Sequence, residues 1–250
     1  MISIISPSKS MDFETKAPSS VSSQIKKNTN TDLVLKSLQS LSVNNIASIM
    51  SVSQKIAGLN YDRFQEFQTA PEKQALFAYT GDVYKNIDTN DLSDSDLNFA
   101  QNHLRIFSAL YGILSPLDKI KPYRLEMSNK LPEIAPKGMN HFWKEQITQR
   151  LKLELVEHKN KTLINLASNE YSASIDPALL EAPIINMHFR EERDWVLRNI
   201  ALNAKRARGM LSDYIIRNKL DSPNDLKSFN MNGYKFDSEK SDENNFFFIR

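Results

Sequence analysis

The chain contains no cysteine, and only six of its 250 residues are glycine, against a usual glycine share of roughly 7%. Without cysteine there is no disulfide scaffold, no thiolate zinc site and no cysteine nucleophile. The few glycines form no G-x-G-x-x-G and no G-x-x-x-x-G-K-[ST], which excludes the glycine-cradled dinucleotide and P-loop phosphate sites. There is no G-x-S-x-G elbow either, which argues against an α/β-hydrolase. Long apolar runs are missing too. The apolar start, Met1 to Ile5, stops at Ser6-Pro7, far short of the roughly 20 residues that span a bilayer. A cytoplasmic protein without a membrane partner is expected. His103, His141, His158 and His188 show no H-x-H or H-x-x-x-H spacing, so neither a metal nor another cofactor is expected.

What is present suits a folded domain. Apolar residues make up 40% and charged residues 25%, ordinary values for a globular chain. Residues 1–250 are long enough to bury one large core, and no clear linker divides them. Net charge is only +2, yet the signs are segregated. Residues 60–102 carry three Lys/Arg and eight Asp/Glu, whereas 103–150 and 190–220 each carry eight basic and four acidic residues. Basic blocks of this kind either converge on one face and make a strong local field, or stay scattered and solvated.

Local patterning predicts interleaved helices and strands, hence a mixed α/β class with a mixed sheet and surrounding helices. Ile2–Ile5, Ala75–Tyr79, 162–167, 183–189 and 245–249 read as strands. Helical spacing covers 32–41, 43–50, 52–67, 142–158 and 205–218, and residues 14–30 read as a polar surface loop. Ser93-Asp94-Ser95-Asp96 is a helix start, with a hydroxyl cap and acids favoured by the helix dipole. That helix is predicted to run through Phe107 and Leu110 to Gly112.

Four clusters carry possible chemistry. Ser6, Ser8, Lys9 and Ser10 follow the first strand and either form a solvated turn or offer hydroxyls and an ammonium to a phosphate, in a place where sheet proteins put ligand groups. The formal S-x-x-K match at Ser6–Lys9 lacks the companion motifs of the acyl enzymes. In the second cluster, Leu104 through Asp118, Tyr111-Gly112-Ile113 and Pro116 have the outline of a helix-hairpin-helix, whose backbone N–H groups contact DNA phosphates. Leu114 stands where a second glycine is usual, and an ordinary helix turn fits the spacing equally. Lys119, Lys121, Tyr123 and Arg124 follow, cations with an aromatic among them. In the third, Lys205-Arg206-Ala207-Arg208-Gly209, Lys205 and Arg208 share a helix face. That face either is solvated or meets phosphates, and Gly209 would let one approach the backbone. The fourth cluster is the strand end Asn165–Tyr171, where Glu170 is placed either to act as a general base or to cap the following turn.

Together these segments resemble the YaaA family of bacterial peroxide-stress proteins. The resemblance spans nearly the whole chain. It rests on Ile5–Phe13, Lys55–Asn60, Thr80-Gly81-Asp82-Val83-Tyr84, Pro122–Met127, Asn165–Tyr171, Ala204–Gly209, and Phe229-Asn230 through Gly233-Tyr234. It implies a cytoplasmic protein that limits oxidative damage through control of iron. It also implies an unusual single-domain α/β fold with a basic cleft, a helix-hairpin-helix-like element and DNA binding. Three readings remain, the third being a partner-binding protein in iron regulation with no nucleic-acid role. In the first, Ser6, Ser8, Lys9, Arg105, Gly112, Lys121, Tyr123, Arg124, Lys205, Arg206 and Arg208 bind duplex or bubble-containing DNA largely without regard to sequence. In the second, the same cleft is the active site for a nucleotide or other phosphorylated small molecule. Lys9 and Arg124 then hold the anion, and Glu170 or Asp12 handles the proton.

Overall fold

The computed structural model describes residues 1–25 and 28–250. The chain runs β1 (Ile2–Ile5), α1 (Thr29–Gln39), α2 (Val43–Met50), α3 (Gln54–Gln65), β2 (Lys73–Gln74), α4 (Ala75–Ala78), α5 (Asp94–His103), β3 (Leu104–Ser108), β4 (Gly112–Leu114) and β5 (Lys119–Ile120). It continues with α6 (Met139–Val156), β6 (Leu163–Asn165), α7 (Asn169–Ser172), α8 (Pro177–Leu180), β7 (Ile184–Arg193), β8 (Val196–Arg198), α9 (Ala201–Arg217), β9 (Lys235–Asp237) and β10 (Asn245–Ile249).

One mixed sheet organises the domain, in the order β4-β3-β1-β6-β7-β10-β9, with β8 pairing β7. The five strands from β3 to β10 are parallel, and β4, β8 and β9 add antiparallel edges. All four residues of β1, three isoleucines and Ser3, are buried, as the central strand of a parallel sheet covered on both faces requires. A single apolar core reaches from Met1 to Phe248 and includes Trp143, Phe64 and Phe229.

Helix ends follow their local chemistry. Ser93 and Asp96 form a reciprocal capping box at the start of α5. Ser42 and Ser53 cap α2 and α3. In α9, Ala204, Ala207, Leu211 and Ile215 face the core while Lys205 and Arg206 face solvent, as its sequence predicts.

Three expectations change. The helix from Ser93 stops at His103, and Leu104–Ser108 is a fully buried strand lying parallel to β1. Residues 104–114 therefore make a β-hairpin, with Ser108 opposite Gly112, and not the first half of a helix-hairpin-helix. Residues 115–118 form a turn, and β5 then pairs with β2 in a small separate ribbon. Ala75–Ala78, read as a strand, is a single helical turn. In the polar stretch 14–30, α1 already begins at Thr29; Lys26 and Lys27 lie outside the described residues.

Candidate anion-binding pocket

The sheet order sets the place of the site. From β1 the chain goes to β3 on one side, returns past β1 to β6 on the other, and moves outward to β7. Connections therefore diverge between β1 and β6, and in parallel sheets ligands bind outside the strand ends at such a switch point. A cavity of about 290 Å³ opens there, between the loops that follow β1 and β6. Ser6, Ser8, Lys9 and Ser10 line it from the first loop, Leu166, Ser168, Glu170 and Tyr171 from the second. Gly81, Asp82, Val83 and Tyr84 form a third wall, and Lys205 and Arg208 a fourth.

The walls are tied to one another. Ser6 Oγ accepts the Ser168 N–H at 2.9 Å, joining the two strand-end loops. The Tyr84 hydroxyl donates to the Ser6 carbonyl at 3.0 Å. Burial pushes the Tyr84 hydroxyl pKa well up, so it stays a neutral donor. Gly81 lies against Ser8, where an added Cβ would overlap the Ser8 hydroxyl. Glu170 accepts from the Ser128 N–H at 3.0 Å and from the Ser128 hydroxyl at 2.9 Å.

The charges are mixed. Lys9, Lys205 and Arg208 stand against Asp82 and Glu170. Lys9, 62% exposed, pairs with Glu126 at 2.8 Å, and Arg124 reaches the same carboxylate at 3.3 Å. Arg208 is different. Its Nε, like that of Arg124, is buried without a hydrogen-bond partner, but Arg208 forms no ion pair among the described residues whereas Arg124 has Glu126. Burial, and then the nearby Arg190 charge, lower the pKa of Arg208. A guanidinium nitrogen shielded from water and left unpartnered carries a desolvation cost, which a bound anion offsets.

The residues proposed from sequence divide sharply. Ser6, Ser8, Lys9, Lys205, Arg208 and Glu170 meet in the pocket. Arg124 and Tyr123 line a narrow recess beside it that shares Pro7, Ser8, Lys9 and Tyr171. Tyr123 is itself buried, with its hydroxyl 2.7 Å from those of both Tyr79 and Ser108. Arg206 is exposed on α9 next to the pocket and not part of its lining.

The remaining candidates lie elsewhere, for clear reasons. Arg105 is 6% exposed; it pairs with Glu154 at 2.6 Å and donates to the Gln101 and Leu104 carbonyls. Lys121 donates to the carbonyls of Phe67 and Gln68 at 2.9 and 2.7 Å. Gly112 turns the β3–β4 hairpin at φ 78° and packs under Trp143, leaving no room for a phosphate. Asp12 accepts the N–H groups of Glu14 and Thr15 and pairs with Lys73. Those N–H groups hold its carboxyl well below the usual range, which makes it a loop organiser and a poor base. Gly209 meets the Val83 carbonyl of its own chain, not a phosphate.

Sequence reasoning from clusters missed Asp82, Tyr84 and Glu126. Each lies in a segment that carries the family resemblance, but no spacing rule attaches chemistry to them. It also missed a second grouping. His103, His158 and Asp221 each place one ligand-capable atom within 4.8 Å of the others. Their bonds to the start of β1 account for the grouping: His103 Nδ1 contacts the Met1 carbonyl at 2.9 Å, and the Met1 ammonium pairs with Asp221.

Among the described residues no helix is long and apolar enough to cross a membrane. The sequence profile described as "Peroxide stress protein YaaA" matches residues 1–240. A UPF0246 protein of Rickettsia rickettsii (strain Iowa) is 44% identical over 250 residues, covering all of both chains. UPF0246 proteins of Rickettsia bellii and Rickettsia conorii are 44% and 43% identical, again over the full length of both chains. By profile and by relatives alike, the chain belongs to the YaaA family of peroxide-stress proteins.

Proposed function

We propose that the protein binds DNA through its backbone phosphates, one of them seated in the pocket against Arg208 and Lys205. In a peroxide-stress family this binding serves to limit iron-driven damage to DNA. The observation that carries the reading is Arg208, half-buried in the cavity with an unpartnered Nε. Lys205 and Arg206, both exposed, extend the cationic surface along α9, and Lys9 adds an exposed ammonium, paired with Glu126, at the rim. Peroxide turnover by a thiol is excluded because the chain has no cysteine.

Phosphate contacts of this kind are insensitive to base sequence and sensitive to salt. Binding of a labelled duplex, followed by anisotropy, should weaken steeply with salt and be largely lost when Lys205 and Arg208 are both replaced by Ala. Duplex binding that is unchanged in that double variant would falsify the reading.

A second reading has its own support. The cavity lies at the switch point of a parallel sheet and has carboxylates, Asp82 and Glu170, opposite its cations. That arrangement suits a single nucleotide, phosphate toward Arg208 and sugar hydroxyls toward the acids. Calorimetry with nucleoside monophosphates separates the two: tight nucleotide binding without duplex binding favours the small molecule.

A further inference from the structure

β7 and β8 form a hairpin just before α9, with Arg193 opposite Val196 and Glu191 opposite Arg198. Its two-residue turn is Asp194-Trp195, at φ 53° and 63°. Turns of this type need left-handed backbone at both positions and normally use Asn-Gly. A bulky aromatic in that conformation is an outlier. Trp195 is also 94% exposed, next to the exposed Val196. A strained conformation and full exposure of the largest apolar side chain both oppose folding stability, and such outliers cluster where a site has another use for the residue.

The surroundings identify the partner's chemistry. Between positions 190 and 208 there are six Lys/Arg and three Asp/Glu. One of those acids, Glu191, is consumed by Arg193, Arg250 and Asn203. Arg193 and Arg198 flank the turn, and Lys205 and Arg206 are exposed on the first turns of the following helix. An exposed aromatic ring among cations that meet phosphates is the arrangement on which unpaired bases stack. The strand pairing of β7 with β10 and β6 anchors the hairpin base.

We infer that Trp195 stacks on an unpaired base of a DNA strand whose phosphates lie along Arg198, Lys205 and Arg206. The inference rests on the DNA reading given above and adds a preference for single-stranded or locally opened DNA.

The protein reports on this directly, because its only other tryptophan, Trp143, is 0% exposed in the core. Full-length protein is titrated with an oligo-dT strand and with a duplex, following tryptophan emission and the anisotropy of labelled DNA together. The strand should quench wild-type emission, and the quenching should vanish in Trp195→Phe, which still binds because it keeps a ring. Trp195→Gly should weaken strand binding about tenfold, leave duplex binding within about twofold and raise the melting temperature, because glycine relieves the turn. A merely structural tryptophan would not separate stability from binding in that way. If anisotropy reports strand binding while emission does not change, the Trp195 inference fails and the DNA reading stands. If neither DNA binds, both fall. Quenching by anionic phosphatidylglycerol vesicles with none by oligo-dT points to a membrane and overturns the inference.

Discussion

Gly209 of α9 lies directly against the carbonyl of Val83, and a Cβ built on it would overlap that oxygen and come within 2.8 Å of the Asn86 side chain. The contact docks the cationic helix on the 81–86 segment, so two of the four pocket walls depend on one missing side chain. Because the obstructing atom is backbone, it cannot swing aside.

Gly209→Ala should therefore cost about 1–3 kcal/mol, the range for overpacking, and lower the melting temperature by several degrees. Gly58→Ala is the contrast. Gly58 lies inside α3 with nothing among the described residues within 4 Å of its would-be Cβ, so alanine should stabilise by about 0.5–1 kcal/mol. Thermal melts of the two variants check both signs. Equal effects would contradict the packing account.

Arg105 and Lys121 separate charge that binds from charge that folds. Arg105→Ala leaves Glu154, which also holds Arg150 at 2.9 Å, without its most buried partner. Breaking such a pair costs about 3 kcal/mol or more, so urea unfolding should shift markedly. Lys121→Ala should leave DNA affinity within about twofold, against the losses expected for Lys205 and Arg208. A large binding defect in Lys121→Ala with intact folding would place the interface elsewhere.

His158 gives the protein an acid-sensitive joint. Burial, then the Met1 ammonium and the His103 ring, push its pKa down to about 4. Burial likewise lowers that of His103, with Met1, Asp221 and Arg105 as the other charges facing it. Unfolded histidine titrates at about 6.5. Between these values the unfolded chain binds more protons than the native one, so stability is fully present above about pH 6.5 and declines as pH falls toward 4. His158→Gln should flatten that decline in melting temperature. A wild-type curve that is flat from pH 7 to 4 would refute the assignment.

How far the fold was legible depends on which residues are considered. α2 begins and ends where its apolar spacing predicts, and Ile2–Ile5 is the strand its composition indicates. Leu104–Leu114 misled because a short buried apolar run has no helix or strand period of its own. What makes it a strand is its pairing with β1, a contact about a hundred residues away in sequence. The same ambiguity, resolved the other way, turned Ala75–Ala78 into a helical turn. In the site, Ser6, Lys9, Glu170, Lys205 and Arg208 were found as polar groups at strand ends and on a helix face, and they do meet. Arg105 and Lys121 could not be told apart from them, since a charge count does not reveal which cations face Glu154 or a row of carbonyls.

The most direct test of the central claim is the salt dependence of duplex affinity in wild type and Arg208→Ala. A pocket that seats a backbone phosphate predicts a steep loss of wild-type affinity between about 50 and 200 mM salt. In the variant it predicts weaker binding at every salt and a slope shallower by about one. Superimposable curves for the two proteins would contradict it.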